Sequence, residues 1–186
     1  MSDARFSIRR ASVGDITEIQ RVGLEADERY VAVGYPEAAD GTTIPTDAAT
    51  RAIGDDRLFV AVVEDRVVGW VYIGRVGGEL CIGQISVTPS FGRLGIGSAL
   101  LERVIEMARA AGERSIVLNT QSDVAWCRPW YERHGFVVVP REEWTAPMAS
   151  VAAAQAKDGL DWSTRVHMRR RLDEAPRPPP TARPPS

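Results

Sequence analysis

The sequence predicts one α/β or α+β domain, and three features of the chain lead to that fold class. Short runs of β-branched and aromatic residues alternate with amphipathic helical segments, and no internal repeat is visible. The 186 residues, 44% of them apolar, are enough to bury a single core. Residues 173–186 hold six of the twelve prolines, a composition typical of extended, solvated chain. We therefore expect a folded domain over residues 1–172 and a disordered tail over residues 173–186.

Charge and composition exclude several classes of function. The 23 basic and 25 acidic residues leave a formal net charge of −2, whereas nucleic-acid-binding domains normally carry a basic excess. No apolar run reaches the roughly 20 residues that span a bilayer, and the first residues lack a signal-peptide pattern. The two cysteines and two histidines form neither a disulfide framework nor a metal-ligand pattern. We expect a cytoplasmic protein with free thiols and with no nucleic-acid, membrane or metal partner.

The first half of the chain has the patterns of one helix and four strands. Apolar residues recur at helical spacing over residues 12–26, and Asp15 and Glu18 form a capping-box pattern near the start. Residues 27–47 then lose periodicity, which indicates a long loop or broken helix of the kind that often covers a binding site. Strands are predicted at residues 6–10, 58–63, 67–73 and 79–87, and the middle two form a hairpin.

The second half adds three helices and three strands. The clearest helix covers residues 98–111, with one apolar face and Gly112 at its end. The other predicted elements are, in order, a strand at 115–120, a helix at 124–134, a strand at 136–139, a helix near 146–157 and a strand at 165–172. The last two strands are predicted sheet edges that could pair between subunits, so a homodimer stays open as an alternative.

The segment after the fourth predicted strand carries the strongest functional signal. It reads QISVTPSFGRLGIGS, so that a strand leads through glycines 92, 95 and 97 into a helix. Glycines let backbone N–H groups approach an anion, and a helix N-terminus adds unpaired donors and a positive dipole end. The loop lacks the Gly-Lys-Ser/Thr ending of a Walker A loop and the Gly-x-Gly-x-x-Gly of a dinucleotide-binding turn. It predicts a phosphate cradle, with a ligand-free tight turn as the alternative.

Two motifs in a fixed order make the signal more specific. The run Val-x-Pro followed by Gly-Arg-Leu-Gly-Ile-Gly-Ser-Ala-Leu-Leu precedes a helix and a strand, and Trp-Tyr-Glu-Arg-His-Gly-Phe then ends at residue 136. This arrangement resembles the acetyl-CoA-binding core of the Gcn5-related N-acetyltransferase (GNAT) family, and the likeness extends over residues 6–172. The resemblance implies a twisted mixed sheet of about seven strands, flanked by helices. It also implies that acetyl-CoA lies in a gap between the fourth strand, at 79–87, and the fifth, at 115–120.

The resemblance assigns two groups of cofactor-binding residues. Gly95 and Gly97 match the family's Gln/Arg-x-x-Gly-x-Gly/Ala pattern, although Gly92 stands where Gln or Arg is usual. The implied pyrophosphate site consists of the backbone amides of Arg93, Leu94, Gly95, Ile96, Gly97 and Ser98. Family members commonly have a bulge in the fourth strand that holds the pantetheine and polarises the thioester, and Ile85, Ser86 and Val87 occupy that place.

The same resemblance gives Tyr131 the role of general acid toward the departing thiolate, with a purely structural core tyrosine as the alternative. The family's asparagine seven residues earlier is replaced by Val124. For the base, strand alternation places residues 79, 81, 83 and 85 on one face, and Glu79 is the only carboxylate among them. Gln84 points the other way unless a bulge rotates it, and it could bind substrate. Cys81 and Cys127 are expected to be inert buried thiols, so a cysteine-based ping-pong route is disfavoured.

The resemblance leads to a function hypothesis with defined alternatives. The enzyme is expected to transfer an acetyl group from acetyl-CoA to a primary amine by direct attack in a ternary complex, with a small molecule as the favoured acceptor. Candidate acceptor-binding residues are Asp27, Glu28, Tyr30 and Tyr35, whose carboxylates and aromatic faces suit a cationic amine. The alternatives are a protein N-terminal or lysine acetyltransferase, a non-catalytic acyl-CoA-binding sensor or scaffold, and a nucleotide-binding protein.

Overall fold

The described part of the chain folds into seven strands and five α-helices. The computed structural model describes residues 6–39, 41 and 43–173, so the predicted tail lies outside the described residues except for its first position. The strands are β1 (Ser7–Arg10), β2 (Leu58–Val63), β3 (Arg66–Val76), β4 (Glu79–Val87), β5 (Ser115–Gln121), β6 (Val137–Val138) and β7 (Arg165–Arg171). The helices are α1 (Ile16–Val31), α2 (Thr46–Gly54), α3 (Ile96–Ala110), α4 (Arg128–Arg133) and α5 (Ala146–Lys157). In this part of the chain, no helix is long and apolar enough to cross a membrane.

The strands form one mixed sheet in the order β1-β2-β3-β4-β5-β7-β6. Neighbours are antiparallel except for β4 and β5, which run parallel. The parallel pairing is limited to Leu80 with Ile116 and Cys81 with Val117. Beyond these pairs both strands continue without contact between their backbones, so the sheet opens into a gap. The predicted seven-stranded mixed sheet, splayed between its fourth and fifth strands, is confirmed.

The two faces of the sheet bury different helices. On one face α3 packs its apolar stripe, which includes Leu100, Leu101, Val104 and Ile105, against β2 to β5. Each such side chain contributes about 1.5–3 kcal/mol when it is fully buried. On the other face α1 and α2 cover Trp70 and its neighbours, and α5 covers a smaller cluster around Cys81. These helices fix the orientation of the strands that border the gap.

Helix α1 begins differently from the prediction and continues further. A 3-10 turn, Val13–Asp15, precedes it, and the capping box of that turn consists of Ser12 and Asp15. Arg9 donates to the Asp15 carboxylate, which lowers the pKa of Asp15 to about 2. Glu18, predicted to belong to that box, instead pairs with Arg21 one turn later. The helix continues to Val31, five residues past the predicted end, and α2 forms within the region that lacked a clear signal.

Strand β4 contains a bulge that changes which side chains face the gap. The pairing of β3 with β4 passes from Tyr72–Gln84 to Ile73–Ile82, so Gly83 is the extra residue. An added Cβ on Gly83 would lie 2.5 Å from the Tyr72 ring, so the bulge packs closely against that ring. The bulge shifts the alternation by one residue, and Ile85 joins Ile82 in the α3-side core. The prediction that residues 79, 81, 83 and 85 share one face is therefore wrong at Ile85.

Candidate active site

The gap between β4 and β5 forms a cleft of about 1420 Å³. Its walls come from the second half of β4, the loop that enters α3, the end of β5, the C-terminal part of α1, and α4. Because β4 and β5 do not pair beyond Cys81, the β4 backbone groups on this edge are available to a ligand. The residues predicted for the pantetheine, Ile85, Ser86 and Val87, all line the cleft.

The glycine loop directs unpaired backbone donors into the cleft. Arg93 and Gly95 adopt left-handed backbone conformations with φ of 63° and 81°, and α3 starts directly after Gly95. The first helical hydrogen bond runs from Ala99 N to Gly95 O, which leaves the N–H groups of residues 96–98 for a ligand. These donors and the helix dipole suit a phosphate group. Of the six residues predicted here, only Leu94 does not line the cleft, and its side chain is exposed.

A contact absent from the sequence prediction ties this loop to α4. The Nδ1 of His134 donates to the Trp130 carbonyl at 2.8 Å, so its Nε2 accepts from the Ser98 hydroxyl at 3.0 Å. The Trp130 ring also lies 3.6 Å from where a Cβ on Gly97 would be. The start of α3 is thereby fixed relative to the helix that carries Tyr131. The only sequence signal for this contact was the position of His134 within the second motif.

Tyr131 lies on α4 with its ring among apolar groups. Ring centroids of Trp130 and Phe136 are 4.8 Å and 5.5 Å away, both in edge-on arrangements, and Tyr131 lines the cleft. Its hydroxyl has no hydrogen-bond partner among the described residues. Burial raises the pKa of Tyr131 above its usual range, because a phenolate would be poorly solvated there. The side chain therefore holds its proton at neutral pH and can act as a donor.

The predicted acceptor-binding residues divide into two groups. Asp27, Tyr30 and Gln84 line the cleft, and the bulge at Gly83 turns Gln84 toward the acceptor side, where it donates to Ser86 Oγ at 3.1 Å. The Tyr30 hydroxyl contacts Cys127 Sγ at 3.2 Å. In contrast, Glu28 is exposed outside the cleft, as the burial pattern of α1 shows. The last predicted residue, Tyr35, is buried and donates to the Asp123 carboxylate at 2.7 Å.

The cleft residues that were not anticipated include a polar group formed by Asn119, Gln121 and Arg165. Asn119 and Gln121 stand at the end of β5, and Gln121 pairs with Arg165 at the start of β7. Forty-four positions separate Gln121 from Arg165 in the chain, so only strand pairing brings them together. No local motif could have indicated this group.

Glu79, the predicted base, does not line the cleft. Its carboxylate accepts from Arg169 at 2.8 Å and 3.0 Å and from the Ser115 hydroxyl at 2.6 Å, at the closed end of the splay. Burial favours a raised pKa for Glu79, but these hydrogen bonds outweigh it and hold the pKa below its usual value. The Glu79 carboxylate lies away from the cleft, and its hydrogen bonds connect neighbouring strands of the sheet. We therefore leave Glu79 out of the catalytic group.

The two cysteines near the cleft are both buried. Burial raises the pKa of the Cys81 thiol to about 11, so it is not a thiolate at neutral pH. Cys127 is 2% exposed and contacts the Tyr30 hydroxyl. Within the described residues, no group of three or more His, Cys, Asp or Glu side chains could hold a metal ion.

Comparison with known proteins agrees with this geometry. The model of the acetyltransferase (GNAT) family matches residues 25–136. Among solved structures, a GNAT family acetyltransferase from Brucella melitensis in complex with acetyl-CoA is 26% identical, with a TM-score of 0.53 over 72% of this chain and 84% of its own. N-acetylglutamate synthase from Neisseria gonorrhoeae, complexed with coenzyme A and N-acetyl-glutamate, is 19% identical, with a TM-score of 0.67 over 93% of this chain and 36% of its own.

A third structure, the PaiA N-acetyltransferase from Thermoplasma acidophilum in complex with coenzyme A, is 14% identical, with a TM-score of 0.64 over 90% of this chain and 99% of its own. A splayed mixed sheet with a glycine loop at the N-terminus of its central helix defines the class of acyl-CoA-dependent acetyltransferases. The chain belongs to the GNAT family of that class.

Proposed function

We propose that this protein transfers an acetyl group from acetyl-CoA to the primary amine of a small molecule, by direct attack in a ternary complex. The observation that carries the proposal is one continuous cleft in which the α3 donors, the free β4 edge and Tyr131 meet a separate set of polar side chains. The cleft thus has one arm suited to a phosphate-bearing cosubstrate and another suited to an acceptor.

The chain's own residues can carry out each part of the transfer. The N–H groups of residues 96–98 would hold the pyrophosphate, and the unpaired β4 edge over residues 82–87 would hold the pantetheine. When bound, acetyl-CoA supplies an activated thioester. As the C–N bond forms and the C–S bond breaks, Tyr131 would give its hydroxyl proton to the sulfur, and the proton lost by the amine would pass to water.

Direct attack is favoured over a covalent acetyl-cysteine route. A nucleophilic thiol needs a lowered pKa, whereas burial raises that of Cys81 to about 11. Cys127 is 2% exposed, and its thiol contacts the Tyr30 hydroxyl, which is not a base at neutral pH. An amine bound beside the thioester needs no such intermediate.

A small acceptor is favoured because the acceptor arm is walled on several sides. Residues 158–160, which follow α5, line the cleft, and so do Ile44 and Pro45 next to the start of α2. An extended peptide would have to fit between these segments and α1.

The test combines acetyl-CoA binding with turnover. Calorimetry should show binding of acetyl-CoA, and thiol release should be detected with members of a panel of small amines, amino acids and peptide N-termini. Binding without turnover across the whole panel would indicate a sensor or scaffold instead. Preferential turnover of peptides would indicate a protein acetyltransferase, and ATP competing equally with acetyl-CoA would indicate a nucleotide-binding site.

A further inference from the structure

Arg165 is a partly buried cation at the acceptor arm, and no carboxylate of the described residues forms a salt bridge with it. It is the first residue of β7 and lines the cleft. Its Nη2 donates to Asn119 Oδ1 at 2.6 Å, and its Nε is buried without an acceptor among the described residues. Burial lowers the pKa of Arg165 from its usual value, and no acidic side chain offsets that effect. The guanidinium also lies 5.9 Å from the centroid of the Trp162 ring. A guanidinium largely withdrawn from water is unfavourable without a counter-charge, and neither the Asn119 oxygen nor the Trp162 ring supplies one.

Two side-chain amides beside Arg165 offer further donors to the same space. Gln121 lies opposite Arg165 in the β5–β7 register, and Asn119 is on the same face of β5. The Asn119 Oδ1 accepts from Arg165, and the Gln121 Oε1 accepts from Thr164 Oγ1 at 3.2 Å. With both amide oxygens engaged, the two NH₂ groups are left to donate. Arg165, Asn119 and Gln121, here called the anion subsite, thus combine one positive charge with neutral donors.

The anion subsite lies close to the place where the acetyl group would be transferred. Arg165 lines the same cleft as Tyr30, Cys127 and Tyr131. The Tyr30 hydroxyl contacts Cys127 Sγ at 3.2 Å, and the backbone N–H of Tyr131 donates to the Cys127 carbonyl at 3.1 Å. An acceptor that reached both the anion subsite and the proton donor would therefore carry its anionic group close to its amine. A purely cationic acceptor would instead place positive charge beside a partly buried guanidinium, which is unfavourable.

We propose that the acceptor carries a carboxylate a few bonds from its amine, as an amino acid does, and that the anion subsite binds this carboxylate. This inference rests on the proposed acetyltransferase function and names the substrate class of the same site. One guanidinium with amide donors matches the single charge and planar, two-oxygen shape of a carboxylate. Asp27 lines the same cleft from α1.

The test uses matched acceptors that differ only at the carboxylate. Thiol release is measured for a panel of amino acids, for the carboxamide of each and for the corresponding decarboxylated amine. Phosphorylated amines and short peptides form two further arms. The best amino acid is expected to exceed its carboxamide in kcat/KM by about 100-fold, the size expected from losing a charged hydrogen-bonded pair.

Substitution of Arg165 should remove this preference through KM. Arg165→Met is expected to lower kcat/KM for the amino acid by about 100-fold and to leave the carboxamide within about threefold. Arg165→Lys should restore part of the preference, because it keeps the charge but not the two-pronged geometry. Arg114→Met, at an exposed arginine away from the cleft, is the matched control and should change neither substrate.

A stability measurement separates binding from a structural role. If Arg165 serves the ligand, Arg165→Met should melt at the wild-type temperature or higher and bind acetyl-CoA with wild-type affinity, since it removes an uncompensated, partly buried charge. A large fall in melting temperature together with equal losses for acid and carboxamide would identify Arg165 as structural and overturn the inference.

The remaining outcomes distinguish the inference from the proposed function. Equal turnover of acid and carboxamide, or a preference for decarboxylated amines, phosphorylated amines or peptides, refutes the carboxylate subsite while acetyl transfer stands. If no amine is acetylated, the proposed function fails, and calorimetry of the CoA-loaded protein then tests the anion subsite. Tighter binding of N-acetyl amino acids than of their carboxamides, with the difference lost in Arg165→Met, would support the anion subsite. Equal binding of the two would overturn it.

Discussion

Tyr131 is surrounded by aromatic rings that keep its hydroxyl protonated. Trp130 and Phe136 exclude water from one side of its ring, and burial raises its pKa above the usual range. A tyrosine in these surroundings keeps its proton at neutral pH, so it has a proton to donate to a thiolate and is unsuited to accept one. The environment thus favours the acid role over the base role.

Tyr131→Phe is therefore expected to lower kcat by about 10²-fold, the lower range for loss of a general acid. The ring contacts stay, so the KM for acetyl-CoA should change by less than about threefold. Steady-state thiol release measures both constants. Tyr72→Phe, which removes another cleft hydroxyl, serves as the control and should retain most activity. An unchanged kcat in Tyr131→Phe would exclude the acid role.

Glu79 illustrates how an ion pair can resemble a catalytic carboxylate in the sequence. Its hydrogen bonds to Arg169 and Ser115 join β4, β7 and β5 at the closed end of the gap. Because these bonds depress its pKa, the stabilisation is present above the ordinary pKa of 4.5 and is lost as pH falls through the lower folded value.

Glu79→Gln should consequently lower the free energy of unfolding by about 1–2 kcal/mol at pH 7, since the pair is partly exposed. The difference from wild type should shrink below pH 4.5, as denaturant titrations at several pH values would show. Its kcat should stay at the wild-type level. Glu106→Gln, at an exposed glutamate, is the control for stability. A large loss of kcat in Glu79→Gln would return Glu79 to the role of base.

At the scale of elements, the bulge in β4 decides which side chains reach each arm of the cleft. Without the bulge, Gln84 would share the face of Ile82, and Ile85 would share the face of Cys81. The polar side chain of Gln84 would then face the core on the α3 side. The bulge depends on Gly83, where the Tyr72 ring leaves no space for a Cβ. Strand β4 can therefore contribute apolar side chains to the core and Gln84 to the acceptor arm.

Gly83→Ala is predicted to destabilise the protein by about 1–3 kcal/mol, because the new methyl group displaces the Tyr72 ring. Thermal unfolding would measure the loss. Gly54→Ala is the matched control, since nothing lies within 4 Å of its Cβ position at the end of α2. That control should be neutral or slightly stabilising. If Tyr72→Leu restored no stability to Gly83→Ala, the steric explanation would be wrong.

At the scale of the whole molecule, the splay leaves one edge of each central strand unpaired. The sheet is closed by only two residue pairs between β4 and β5, and the rest of the interface is open to a ligand. A ligand that contacts β4, α3 and α4 together would bind only the folded chain, so it should stabilise the fold by mass action.

Acetyl-CoA at about 100 times its Kd is expected to add about 2.7 kcal/mol of stability, which corresponds to a rise in Tm of about 5–10 °C for a domain of this size. Differential scanning measurements with increasing acetyl-CoA would show a concentration-dependent shift. AMP at equal concentration should shift the Tm much less. An unchanged Tm despite saturating acetyl-CoA would contradict the proposed binding arm.

The sequence by itself determined the order of the elements, the glycine loop at residues 92–97 and the α4 motif, because each is encoded by neighbouring residues. Local periodicity was enough to predict all seven strands. The family resemblance implied the gap between the fourth and fifth strands. Local periodicity did not predict the limits of α1 or the existence of α2, and both helices pack against the sheet through contacts between distant positions.

Only the tertiary structure decided the function of individual polar residues. Strand pairing places Arg165 opposite Gln121, and Arg169 donates to the Glu79 carboxylate. The bulge at Gly83 moves the side chains of the following β4 residues to the opposite faces of the sheet. Each of these outcomes depends on contacts between positions far apart in the chain, and a pattern of adjacent residues carries no information about such pairs. The sequence thus predicted the glycine loop that lines one arm of the cleft, and the pairing of β5 with β7 decided which polar side chains line the other arm.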